Sequence, residues 1–218
     1  MRRAQLATAA AALLLATAAN AAADAPLTLE SGKTVGTGST VFWGQVGFPG
    51  VWLELVHGVD PLTEIGGKLG LDYGQQGVID GCCHSFEMDF QFLIRRNFFD
   101  NGRIWIAGTF APGLSLYFPT GATQVGLDIP VGIQFGFPIS PVVTVNASFD
   151  LAMYAVFPSN FYSGYFAVPI LFGVGLEYLA QRNFVLTFQL KLGPTIFTLP
   201  DSTAEFTLYA MVGAAYKF

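Results

Sequence analysis

The sixteen residues TAEFTLYAMVGAAYKF, positions 203–218, decide how the chain is read. Taken in steps of two, Ala204, Phe206, Leu208, Ala210, Val212, Ala214, Tyr216 and Phe218 make one face, which is apolar and uncharged. Thr203, Glu205, Thr207, Tyr209, Met211, Gly213, Ala215 and Lys217 make the other, which is mixed and carries both charges. A period of two held over this length predicts a β-strand, because successive side chains of a strand point to opposite faces. An uncharged face of this length suits contact with lipid.

The same alternation runs backwards through the chain. Residues 184–193 set Phe184, Leu186, Phe188, Leu190 and Leu192 against Thr187, Gln189 and Lys191. Residues 166–177 set Phe166, Val168, Ile170, Phe172, Val174 and Leu176 against a glycine-rich face ending in Glu177. Residues 143–153 and 125–135 repeat the pattern, with Asp150 and Asp128 on the polar side. Earlier candidates are 103–118, interrupted at Ala111-Pro112-Gly113, then 85–95, 63–73, 51–59 and 40–47. The interruption reads as a bulge or bend. The last two candidates are separated only by Phe48-Pro49-Gly50, which must form a tight turn. The expected fold is therefore all-β: a transmembrane antiparallel up-and-down β-barrel of about ten strands. The alternative is eight strands plus extra N-terminal structure. An even number puts both chain ends on one side. Pro112, Pro130, Pro169 and Pro194 fall inside strands, where each removes a ladder hydrogen bond.

Composition supports a membrane barrel over a soluble one. The 218 residues are 52% hydrophobic and only 11% charged, with 25 glycines and 21 phenylalanines. A soluble barrel must wet its outer face, whereas here the uncharged face is the larger and more aromatic one. Residues 1–23 read as a secretory signal peptide, with Arg2 and Arg3 before an Ala/Leu run and small residues after it. Residues 24–38 read as a periplasmic lead-in, and 39–218 as the barrel. Without Arg2 and Arg3, eight of the ten basic residues remain against fifteen acidic ones. Nucleic-acid binding thus has no electrostatic support.

The ending resembles the C-terminal targeting strand of bacterial outer-membrane β-barrel proteins. The resemblance implies that Tyr216 and Phe218 are read by the barrel insertion machinery, and that the chain resides in the outer-membrane bilayer. No more specific family is implied.

Candidate chemistry is sparse. Polar and charged positions expected to face the lumen are Glu64, Lys68, Asp72, Glu87, Asp89, Arg95, Asp128, Asp150, Gln189, Lys191 and Glu205, together with Glu177, Arg103 and Lys217. In so narrow an interior, Lys68 and Lys191 are expected to pair with some of the carboxylates. Cys82 and Cys83 are the only cysteines. Adjacent cysteines space poorly for zinc, and a bond between them would be strained, so they read as a loop pair that could form a disulfide. His84-Ser85 and the His57/Glu54 pair have no triad spacing. The expected function is a structural or interaction role without catalysis or cofactor. A narrow porin-like pore and a rim-located outer-membrane hydrolase or acyltransferase are the alternatives.

Overall fold

A computed structural model describes residues 27–73, 77–78, 86–119, 121–198 and 202–218. Among these residues there are eleven strands and no helix. They are β1 (Thr40–Phe48), β2 (Gly50–Gly58), β3 (Thr63–Tyr73), β4 (Phe86–Asp100), β5 (Trp105–Phe110), β6 (Gly113–Phe118), β7 (Gln124–Ser140), β8 (Val143–Val156), β9 (Tyr165–Gln181), β10 (Phe184–Phe197) and β11 (Thr203–Lys217).

Apart from β5 and β6, which do not pair with each other, each strand pairs antiparallel with its sequence neighbours, and β1 pairs with β11 to close the sheet. Both β5 and β6 lie between β4 and β7, so they are one staff of the barrel broken at Ala111-Pro112. The barrel thus has ten staves, and the break falls where the sequence carried its bulge signal. The flanking amides find partners across it: Phe92 N–H donates to the Pro112 carbonyl at 2.9 Å and Ala111 N–H to that of Pro130 at 3.0 Å. Pro49 alone links β1 to β2, following a cis Phe48–Pro49 peptide. The eight-strand alternative is therefore set aside.

Register follows the hydrophobic pattern, since a slip of one residue would exchange the two faces. Phe188 is 47% exposed on the outside, whereas Gln189 next to it is 7% exposed. Phe172, Val174, Phe206, Val212 and Tyr216 also point outward. Trp43 and Trp105 are buried inside, and Trp52 lines the central cavity.

The staves differ in length. β1 and β2 have nine residues each, but β7 and β9 have seventeen. β11 therefore runs past the end of β1, whose Phe48 pairs with Ala210. Residues 77–78 extend the wall there. Val78 bridges to Thr207, and Leu208 N–H donates to the Gly77 carbonyl at 3.0 Å. The connection between β3 and β4 thus adds this pair to the barrel wall.

The larger departure from expectation is at the N-terminus. Residues 24–38 were expected outside the barrel, yet the described part folds into it. Leu27, Leu29 and Val35 are buried in one cluster with Val41, Trp43, Leu93, Leu179 and Val185 of the strands. Burial of three apolar side chains gives this segment a reason to leave water.

Candidate functional site

The interior is filled from the end that holds Thr40 and Phe218 by the loop of residues 27–38. Its backbone is held by strand side chains. One oxygen of the Glu177 carboxylate on β9 accepts the amides of Leu29 and Glu30, each at 2.7 Å. Glu64 on β3 accepts the Val35 amide at 2.8 Å. Asn97 on β4 donates to the Gly32 carbonyl at 2.5 Å, and Lys217 on β11 donates to the Val35 carbonyl at 3.1 Å. Carboxylates that accept backbone N–H groups form strong, short hydrogen bonds. Buried amides without such partners would carry a desolvation penalty.

Two glycines make the close approach feasible. Gly32 has φ of +80°, a left-handed conformation that favours glycine. Gly136 on β7 lies directly against the Ser31 backbone, where any Cβ would overlap the Ser31 carbonyl oxygen. Lys33 then returns to the rim, 3.7 Å from Asp100 and 4.8 Å from the centre of the Trp105 ring.

The loop's deepest acidic residue, Glu30, reaches a central cavity of about 150 Å³, lined also by Trp43, Trp52, Lys68, Asp150 and Lys191. Gln189 donates to the Glu30 carboxylate. Lys191 sits 3.1 Å from Asp150, and Lys68 sits 3.3 Å from Glu54 while lying over the Trp52 ring. Both lysines expected to pair do so, but Lys68 takes Glu54. Glu54 faces inward on β2, directly across from Lys68 in the β2–β3 register. Arg95 is 2.5 Å from Glu64 and also donates to Gln134 at 3.3 Å.

Beyond the cavity, toward the other end, Asp72, Glu87 and Asp89 are buried, and Asp128 is buried at the cavity wall. Asp72 and Glu87 face each other across β3 and β4. Ser115 on β6 donates to Asp128 at 2.9 Å. Glu205 is half-buried near the start of β11. Tyr117, Tyr154 and Phe197, with Tyr165 and Val78 packed on them, close over this half as an aromatic cluster. Among the described residues, no three His, Cys, Asp or Glu converge on a common metal position.

Several expected residues fall elsewhere. Arg103 is exposed in the β4–β5 turn instead of facing inward. The Asn101 side chain accepts the amides of Arg103 and Ile104, which ends the turn only after Arg103. His57 points outward and Glu54 inward, so they share no site. His57 Nδ1 instead meets the Thr40 hydroxyl at 2.9 Å, an exposed cross-strand pair. Cys82, Cys83, His84 and Ser85 lie outside the described residues. Tyr216 and Phe218 both point outward, with ring centres 5.2 Å apart, and Phe218 N–H donates to Thr40 at 2.9 Å. In the β2–β3 turn, the Leu62 amide bonds Asp60 at 2.7 Å and holds that exposed carboxyl below its ordinary pKa.

Sequence reasoning missed Glu54, Glu30 and the loop that carries Glu30. The Glu54–Lys68 pair was within reach, since counting back through the β2–β3 turn places the two residues opposite each other. The loop has no periodic signal.

No protein-family model matches the sequence, and no curated protein does. Solved structures with a similar fold include the outer-membrane protease OmpT from Escherichia coli, at 10% identity and TM-score 0.48, over 84% of this chain and 94% of that one. OmpT of Vibrio cholerae, an outer-membrane protein, is 11% identical with TM-score 0.38; the match covers 77% of this chain but only 56% of that one. Ail, the attachment invasion locus protein of Yersinia pestis, is 16% identical with TM-score 0.30, over 83% and 97%.

Proposed function

We propose that this chain is exported by its N-terminal signal peptide, inserts in the bacterial outer membrane through the Tyr216/Phe218 strand, and serves there as a structural or interaction barrel. Its lumen is packed by its own charged side chains and stoppered by residues 27–38. The observation that carries this reading is the pair of amides, Leu29 and Glu30, seated on the buried Glu177 carboxylate. A loop held by buried, charge-assisted hydrogen bonds is part of the resting barrel, and it occupies the space a solute would need.

The remaining volume favours the same reading. A cavity of about 150 Å³ whose cations are each beside a carboxylate holds waters and no continuous path for sugars. In planar bilayers the purified full-length protein should show no steady conductance, and in liposome swelling no sugar flux. Sugar flux from the wild type would replace this reading with a porin-like one.

A narrow, cation-preferring pore is the second reading. It draws on the buried carboxylates Asp72, Glu87, Asp89 and Asp128, which would attract cations once the loop withdrew. Catalysis is not part of the proposal. The His57–Thr40 contact has no carboxylate behind the imidazole, because Glu54 is on the opposite face. Hydrolysis of peptide or lipid substrates by the folded protein, lost in His57→Ala, would reverse that choice.

A further inference from the structure

The basic residues are distributed unevenly along the barrel axis. Ten Lys and Arg are present in the sequence, and Arg2 and Arg3 precede the described residues. Lys68, Arg95 and Lys191 face the interior. The other five, Lys33, Arg96, Arg103, Arg182 and Lys217, all lie at the end that holds Thr40 and Phe218. The connections at the opposite end, Pro49 and residues 74–85, 119–123, 157–164 and 198–202, contain neither Lys nor Arg, and they carry Asp80 and Asp201.

The five cations are not equivalent. Lys33 is beside Asp100, and Lys217 donates into the mouth to Val35. The three on the outer rim are arginines. Arg96 points outward near the end of β4 and donates to Thr63 at 3.0 Å. Arg103 and Arg182 are exposed in the β4–β5 and β9–β10 turns. Around the same rim, Leu62, Phe98, Ile139, Tyr216 and Phe218 expose apolar surface. A belt of this kind seats aromatic and apolar groups at the hydrocarbon boundary and lifts charged heads to the level of the headgroups. Guanidinium groups match phosphate oxygens with two parallel N–H donors, which ammonium groups cannot do.

We infer that this rim is a binding surface for anionic phospholipid: Arg96, Arg103 and Arg182 take lipid phosphates in the leaflet at the Thr40/Phe218 end of the barrel. The opposite rim, free of cations in its connecting sequences, takes none. The inference rests on the membrane reading above, and its test separates the two.

The full chain, folded in a zwitterionic detergent, is titrated with phosphatidylglycerol and in parallel with phosphatidylcholine, and bound lipid is read by native mass spectrometry. A cation near an anionic surface contributes roughly five-fold in binding. Wild type should therefore prefer phosphatidylglycerol by at least tenfold, and Arg96→Gln/Arg103→Gln/Arg182→Gln should lose that preference. Heat-modifiable mobility checks that the variant is folded. If the triple variant does not fold, Arg103→Gln, in an exposed turn, should alone reduce the preference several-fold. Equal binding of the two lipids by wild type, or a preference that survives in the folded variants, overturns the inference while leaving the membrane barrel intact. Glycerol phosphate added at equal phosphate should not compete; if it does, the rim reads free phosphate and the lipid assignment fails. A chain that folds in neither detergent nor bilayer sinks the membrane reading itself.

Discussion

Replacing Glu177 by alanine should undock residues 27–38 while leaving the barrel closed. The variant removes the acceptor of two buried amide bonds at 2.7 Å. Hydrogen bonds to a charged acceptor contribute about 1.5–3 kcal/mol each, so docking weakens by roughly 3–6 kcal/mol. Even the lower figure shifts the docked-to-undocked ratio by about two orders of magnitude. The loop keeps its contacts with Glu64, Asn97 and Lys217, which limits the loss. Glu177→Gln retains a carbonyl acceptor at the same place and should give an intermediate effect. Amide hydrogen exchange reads the result directly. The amides of Leu29 and Glu30 should exchange about a hundredfold faster in Glu177→Ala, while those of the β9–β10 ladder hold their wild-type protection. Unfolding of the barrel should move little, because the loop can leave without opening a stave pair. Wild-type protection of Leu29 and Glu30 in the alanine variant would refute the claim that this carboxylate holds the loop.

Four further outcomes are expected. Gly136→Ala should produce the same exposure of residues 29–32 by collision with the Ser31 backbone, read by limited proteolysis; an unchanged digestion pattern would count against the packing described. Phe188→Arg puts a charge on the lipid face at a cost of roughly 2–4 kcal/mol near mid-membrane, whereas Gln189→Arg faces Glu30 and should be far milder; equal losses in refolding titrations would mean the faces are misassigned. Lys191→Met leaves the half-buried Asp150 without its cation and should destabilise the fold by about 1–3 kcal/mol in a urea titration without raising bilayer conductance. Phe218→Asp should lower the yield of heat-modifiable protein in the outer membrane, and wild-type yield would remove Phe218 from the targeting signal.

The staves were readable because lipid imposes a strict rule on one face of each strand. Phe172, Val174 and Leu176 had no alternative side, so a period of two survived in the sequence. The Pro112 break and the Pro49 turn were readable for a related reason: proline removes a donor, and the ladder must end or bend there. The interior was less legible. Strand phase gives the direction of Lys68 and Lys191, but partner choice depends on stagger between staves, which set Glu54 of β2 on one side of Lys68 and Gln91 of β4 on the other. Residues 27–38 were illegible because their contacts use their own backbone. Glu177 recognises amides that every residue but proline possesses, so no side-chain pattern announces the docking. A polar Gly/Thr-rich stretch that fills a cavity and one that trails in solvent have the same composition.

All three tryptophans, Trp43, Trp52 and Trp105, sit on the inner side of the wall. The protein's intrinsic emission is consequently blind to the bilayer. Quenchers attached to acyl chains should dim it weakly even when every stave is inserted, so a flat response in that assay says nothing against insertion. Small aqueous quenchers added from outside test a different property, namely whether the stoppered interior admits them. Trp105 lies under the Lys33 ammonium group, and its spectrum should change when residues 27–38 leave. The chain thus carries its own optical gauge of whether the mouth is shut, with no label added.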